Sequence, residues 1–158
     1  MKEFTGKLDG KGLRIAIIAS RYNDFITGRL VEGALEALRE NNVSETDIEL
    51  FWCPGALELP VVAQRIVSKG AGTRHFDGII VVGCVIRGDT DHYTHVATEA
   101  VRGVTNVAIT HQVATGNAIL TVENMEQATE RSGEKSLNKG YEAALVTLEI
   151  ANLFKSLK

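Results

Sequence analysis

Three stretches of this chain are apolar at nearly every position, and nothing else in it limits the fold so tightly. LRIAIIAS (Leu13 to Ser20), IELFWC (Ile48 to Cys53) and DGIIVVGCVI (Asp77 to Ile86) are short and rich in β-branched and aromatic residues. A strand with one face in water alternates apolar and polar side chains, whereas one that is apolar throughout must be covered on both faces. Between these runs the period changes. Ile26, Leu30, Val31, Ala34, Leu35 and Leu38 recur at helical spacing within Phe25 to Arg39, and Ala56 to Val67 behaves alike. A long helix is predicted from near Asp91 through at least Val101, then a short fourth strand over Asn117 to Thr121. A helix capped by Glu123 or Asn124 should run to Arg131, and a last one from about Lys139 to Leu153. Such alternation predicts right-handed βαβ units. The expectation is one domain over residues 1–158, a three-layer, doubly wound α/β fold whose four-stranded parallel sheet carries helices on both faces.

Composition excludes several classes of function. The net charge is −3 over 158 residues, with Lys and Arg spread along the chain, so there is no basic patch for nucleic acid or an anionic membrane. The longest apolar run, Ile79 to Ile86, is far too short to span a bilayer. The leading MKEFTGKLDGKG has neither the apolar core of a signal peptide nor the Arg/Ser-rich character of a transit peptide. Cys53 and Cys84 each lie in an apolar run and read as buried free thiols, which fits a cytoplasmic protein.

In open α/β sheets ligands sit beyond the carboxyl ends of the strands. The polar residues concentrate there: Ser20, Arg21, Tyr22 and Asn23 after the first run, PGALE (Pro54 to Glu58) after the second, and RGDTDHYTH (Arg87 to His95) after the third. Gly88 would allow a tight turn, leaving the amides of Asp89 and Thr90 free for an anion such as phosphate at a helix start. Equally, Thr90 or Asp91 is an ordinary N-cap. His92 can pass protons near neutrality, and reads as well as a surface or capping histidine. His92 and His95 are spaced to share a metal, but no third ligand lies at suitable spacing, so no metal is expected. Tyr22 can stack on a flat ring or pack at the helix entry. Glu58 can contact a ligand or merely complement a helix dipole. Arg131 and Lys139 can reach an anion or lie as solvated helix ends. His75 and His111 read as solvated loop histidines. Absent are GxGxxG after the first strand, GxxxxGK[ST] and GxSxG, which argues against a dinucleotide site, a P-loop NTPase and an α/β-hydrolase.

Taken in order, SRYN, PGALELP, GCVIRGDTDHY, LTVEN with EQA and ERSG, and NKG resemble the lumazine synthase family of riboflavin biosynthesis. The resemblance runs from GKLDGKGLRIAIIASRYNDFI to EIANLFKSL. It implies a flavodoxin-like fold and the condensation of 5-amino-6-(D-ribitylamino)uracil with 3,4-dihydroxy-2-butanone 4-phosphate, without cofactor or metal. By resemblance, Tyr22 stacks on the uracil ring and Ala56, Leu57 and Glu58 hold the ribityl chain. Cys84, Val85 and Ile86 line the pyrimidine, Asp89 and Thr90 form the phosphate loop, and Arg131 pairs with that phosphate. His92 corresponds to the proton-transfer histidine, and Lys139 to a lysine near the pyrimidine. The resemblance further implies a homo-oligomer, a pentamer or a sixty-subunit capsid, with sites shared between neighbours, and riboflavin synthase as a partner.

Two positions depart from the family pattern. Asn117 stands where many members carry a phenylalanine against the pyrimidine. Leu137 replaces a glycine in the turn before NKG, whose length is unchanged, which leaves pentamer and capsid both open. Two other readings share the fold class. A flavodoxin-like redox protein would carry its phosphate loop after the first strand, where this chain has SRYND, and a catalytically silent scaffold would have no need of His92, Arg131 and Glu58.

Overall fold

The computed structural model describes residues 1–69 and 75–158. Four parallel strands, β1 (Ile15–Ser20), β2 (Ile48–Cys53), β3 (Gly78–Ile86) and β4 (Ala114–Val122), form one sheet in the order β2-β1-β3-β4. Ile15 is level with Ile48 on one side and Gly78 on the other, and Gly78 with Ala114. Five helices connect and follow the strands: α1 (Asp24–Glu40), α2 (Leu59–Lys69), α3 (His92–His111), α4 (Met125–Arg131) and α5 (Lys139–Ser156). This is the doubly wound, flavodoxin-like α/β arrangement expected. Among the described residues, no helix is long and apolar enough to cross a membrane.

The uninterrupted apolar character of β1 has a simple cause. Successive side chains alternate faces, so Leu13, Ile15, Ile17 and Ala19 join α1 and α5 in one core, while Ala16 and Ile18 join α2 and α3 in the other. Most of these side chains are fully buried. Burying one large aliphatic side chain stabilises the fold by roughly 1.5–3 kcal/mol. Because the connection β1–α1–β2 runs one way along the sheet and β2–α2–β3 runs back past β1, the crevice opens above the carboxyl ends of β1 and β3.

Local details differ from the sequence reading. The segment beginning at Ala56 opens with a 3-10 turn over Ala56–Glu58, and the α-helix starts only at Leu59, with Pro60 as its second residue. Pro is tolerated there because the first-turn amides have no intrahelical acceptor. The fourth strand spans nine residues, starting at Ala114 rather than Asn117. Its first turn of sequence, Ala-Thr-Gly, lacks large side chains because α5 lies close: a Cβ on Gly116 would meet the Ala143 carbonyl oxygen at 2.1 Å. One on Gly78 would meet Thr147 Cγ2 at 2.4 Å. Helix α3 continues to His111, which is therefore the last helical residue and only partly exposed, with Nε2 buried, rather than a solvated loop histidine. His75 is exposed, as expected.

Candidate active site

The loop after β1 is held to both neighbouring strand ends. Arg21 and Tyr22 donate their amides to the carbonyls of Cys53 and Pro54, at 2.8 and 3.0 Å. Asn23 then adopts a left-handed conformation (φ 63°, ψ 46°), and its Nδ2 donates across the sheet to the Cys84 carbonyl at 3.0 Å. Asn tolerates this backbone region better than most residues. One residue thus starts α1 and ties the end of β1 to β3. Its side-chain role was invisible in SRYND, where it reads as a turn residue. The Tyr22 ring is left 74% exposed, which removes the alternative of a partly buried helix-entry tyrosine.

Beside it, Ala56–Glu58 packs against α3 and β3. Ala56 is buried and Leu57 is half exposed. The Glu58 carboxylate folds back over Gly55, whose Cβ, if present, would lie 3.1 Å from Oε2. The Cys53 thiol is pushed up by burial and then by the Glu58 charge, with Arg21 opposing, so both charges act at this strand end. On β3, Cys84 and Val85 are buried and Ile86 partly so. Burial alone pushes the Cys84 thiol up to about 11, which keeps it protonated and unreactive at neutral pH. Ser20, 1% exposed at the end of β1, has a hydroxyl with no hydrogen-bond partner among the described residues. Its sequence context gives no hint of that.

The Gly88-Asp89-Thr90 segment is exposed. Gly88 does not adopt the left-handed backbone, and a Cβ there would meet nothing within 4 Å. Its missing side chain leaves room for close approach to the backbone. Thr90 acts as the local cap, its Oγ1 accepting from the His92 amide at 3.3 Å, while Asp91 makes no side-chain cap. His92 is the first residue of α3 and is exposed. Tyr22, Ala56, Leu57, Glu58, Cys84, Val85, Ile86, Asp89, Thr90 and His92 thus gather along the ends of β1, β2 and β3. Among the described residues no three His, Cys, Asp or Glu side chains converge on a metal-binding point.

Asn117, Arg131 and Lys139 are placed differently. Asn117 lies mid-strand on the edge strand β4, level with Val81, and its Oδ1 accepts from the Ile119 amide at 2.9 Å. Val81 stands five residues before Ile86, which at ~3.3 Å per residue puts Asn117 well below the strand ends. Arg131 closes α4, its Nη1 donating to the Gln127 carbonyl at 3.1 Å. Lys139 opens α5, with Nζ 2.8 Å from Glu142 Oε2. Helix α5 packs over the lower half of the sheet, Thr147 Oγ1 reaching the Ile79 carbonyl at 3.4 Å. Within one chain the side chains of Arg131 and Lys139 find partners on their own helices, and that of Asn117 on its own strand. A groove of about 1060 Å³ opens at the opposite end of the sheet between the ends of α3 and α5. The chemistry-bearing groups and the switch point both favour the carboxyl edge over that groove.

The sequence matches the family model of 6,7-dimethyl-8-ribityllumazine synthase over residues 12–155. The chain belongs to that family. As a member of the 6,7-dimethyl-8-ribityllumazine synthase family it is a transferase of riboflavin biosynthesis that processes small molecules. The matched span takes in all four strands and every candidate site residue named above.

Proposed function

We propose that this chain condenses 5-amino-6-(D-ribitylamino)uracil with 3,4-dihydroxy-2-butanone 4-phosphate, giving 6,7-dimethyl-8-ribityllumazine, phosphate and water, the penultimate step of riboflavin formation. The observation that carries the reading is the open segment after β3. No described group accepts a hydrogen bond from the amides of Gly88, Asp89 or Thr90, Gly88 leaves them approachable, and His92 follows within two residues. Amides free at a helix start suit a phosphate, and an imidazole beside it suits the proton transfers.

In this mechanism the amine attacks the ketone and water leaves to form an imine. Loss of the proton on the hydroxyl-bearing carbon then eliminates phosphate from the terminal carbon, the resulting enol becomes a new carbonyl, and the ribitylamino nitrogen closes on that carbonyl with loss of a second water. His92 moves protons between nitrogen, carbon and oxygen at these steps. Tyr22 stacks on the pyrimidine, Ala56, Leu57 and Glu58 hold the ribityl chain, and Cys84 to Ile86 line the ring through their backbone. Asp89, Thr90 and Arg131 receive the phosphate, and Lys139 approaches the pyrimidine. Cys84 serves by shape and backbone, since its thiol stays protonated. Much of the acceleration comes from holding two reactive partners together.

Asn117 lies below the strand ends of its own chain, and with Arg131 and Lys139 it fits a site completed by a neighbouring subunit, in a ring of at least five. Exposed apolar side chains, among them Leu50, Trp52, Val61 and Ile109, are available to such contacts. The oligomer works in the cytoplasm without cofactor, its product passing to riboflavin synthase. Mixing the purified protein with both substrates tests the chemistry: the lumazine chromophore should develop. Sedimentation under assay conditions tests the shared site, and an active species at the chain mass of 17.1 kDa would overturn it.

A further inference from the structure

We infer that Asn138 is the positioning residue that holds Arg131 where the phosphate of the ketone substrate is bound, an inference that rests on the function proposed above. Asn138 is 5% exposed, and its single amide group meets four backbone partners. Its Nδ2 donates to the carbonyls of Arg29, Ser132 and Gly133, at 3.2, 3.1 and 3.4 Å. Its Oδ1 accepts from the Tyr141 amide at 3.0 Å, capping α5. Ser132 and Gly133 directly follow Arg131, so this side chain fastens the chain leaving α4 to α1, beside the exposed ion pairs of Lys135 with Glu36 and Glu40. Ser132 secures the other side: it is 1% exposed, and its hydroxyl donates to the Ala128 carbonyl at 2.9 Å. The backbone of Arg131 is thereby fixed while its side chain stays 40% exposed, with Nη1 on the Gln127 carbonyl and its other N–H groups turned to no described partner.

The surroundings are shaped for this amide. A Cβ on Gly33 would lie 2.2 Å from Asn138 Oδ1, so α1 presents a bare backbone where the amide sits. A Cβ on Gly140 would lie 1.9 Å from the Leu30 carbonyl, and its absence lets the head of α5 come up to α1. A plain N-cap needs only an acceptor for one amide, which serine supplies as well. The three donor contacts are beyond capping, and they all act on the segment after Arg131 or on the helix it is tied to.

Asn138→Ser separates the two roles. Serine keeps the acceptor for Tyr141, so Lys139 stays in place, but it is too short and has too few donors to span the three carbonyls. KM for the phosphorylated ketone should rise about tenfold, equivalent to ~1.4 kcal/mol, while KM for the pyrimidine changes little; the melting temperature should fall, because hydrogen bonds of a buried amide are lost. In an Arg131→Ala background the same substitution should add nothing to that KM, because the residue it positions is gone. Gly33→Ala, which displaces the amide from the α1 side, should reproduce the ketone-specific defect if Asn138→Ser fails to fold. The inference is overturned if both KM values move together, or if the effects of Asn138→Ser and Arg131→Ala simply multiply. Titration with inorganic phosphate gives a readout independent of turnover. Should the wild-type protein make no lumazine, the proposed function falls. Weaker phosphate binding by Asn138→Ser than by wild type would then still support the positioning role, and equal binding would end it.

Discussion

Replacing Asn23 by alanine and, separately, by glycine resolves what this residue contributes as a backbone conformer from what it contributes as a tie. At φ 63° and ψ 46° an alanine pays the left-handed penalty, roughly 1–2 kcal/mol. It also loses the 3.0 Å bond to the Cys84 carbonyl, worth about 1 kcal/mol net. Glycine accepts the backbone and loses only the bond. The alanine variant should therefore be destabilised by ~2–3 kcal/mol, and the glycine variant by ~1 kcal/mol. For a chain of this size 1 kcal/mol shifts the melting temperature by about 2–4 °C, so the expected losses are ~4–12 °C and ~2–4 °C. Thermal unfolding should be followed at one fixed protein concentration, because assembly makes the midpoint depend on it. Equal losses in the two variants would refute the backbone argument. A glycine variant as stable as the parent would show that the link between β1 and β3 contributes nothing.

Three other outcomes are expected. His92→Ala should lower turnover by up to ~10²–10⁴-fold with little effect on substrate binding, and unchanged steady-state rates would remove the proton-transfer role. Arg131→Ala should raise KM for the phosphorylated ketone by tens-fold, since a charge-assisted bond is worth about 1.5–3 kcal/mol. Its adjacent Glu130, 3.7 Å away and exposed, makes no pair strong enough for stability to fall much, so a large loss of melting temperature would mark Arg131 as structural. With the Cys84 thiol pushed up to about 11 by burial, native protein should resist iodoacetamide at neutral pH and react once unfolded. Ionisation is easier in the unfolded chain, at the ordinary thiol value of about 8.5, so this contribution to stability is complete below that pH and is lost toward pH 11. Cys84→Ala should therefore flatten the alkaline decline in urea midpoint, and an undiminished decline would assign it to other groups.

The sheet was legible because burial on two faces leaves an unmistakable pattern in β1 and β3. Where tight packing replaces large side chains with small ones, the pattern fades. The start of β4, Ala-Thr-Gly under α5, therefore read as connection rather than strand. The later part of α3 carries Thr105, Asn106 and Thr110 among its apolar residues, so its true end at His111 did not stand out. At the site, residue types such as His92 and Tyr22 suggested chemistry, and the ordered motifs brought the family into view. Asn23, Ser20 and Asn138 were harder to see. Their work lies in which backbone group each side chain meets or fails to meet, and the side-chain partner of Asn23 stands 61 residues along the chain.

The close seating of α5 also bears on how damage travels through this molecule. A methyl group added at Gly116 or Gly78 has no space, since backbone or a β-branched side chain already stands within 2.4 Å of where it would sit. The sheet is buried on both faces and does not yield, so the helix must lift or slide. At the head of that helix is Asn138. A random-mutagenesis screen for lost activity should therefore collect variants at these strand glycines that remain folded. They would look like active-site lesions in kinetics while lying on the far half of the sheet, and second-site revertants should appear among the small residues of α5, such as Ala143 and Thr147.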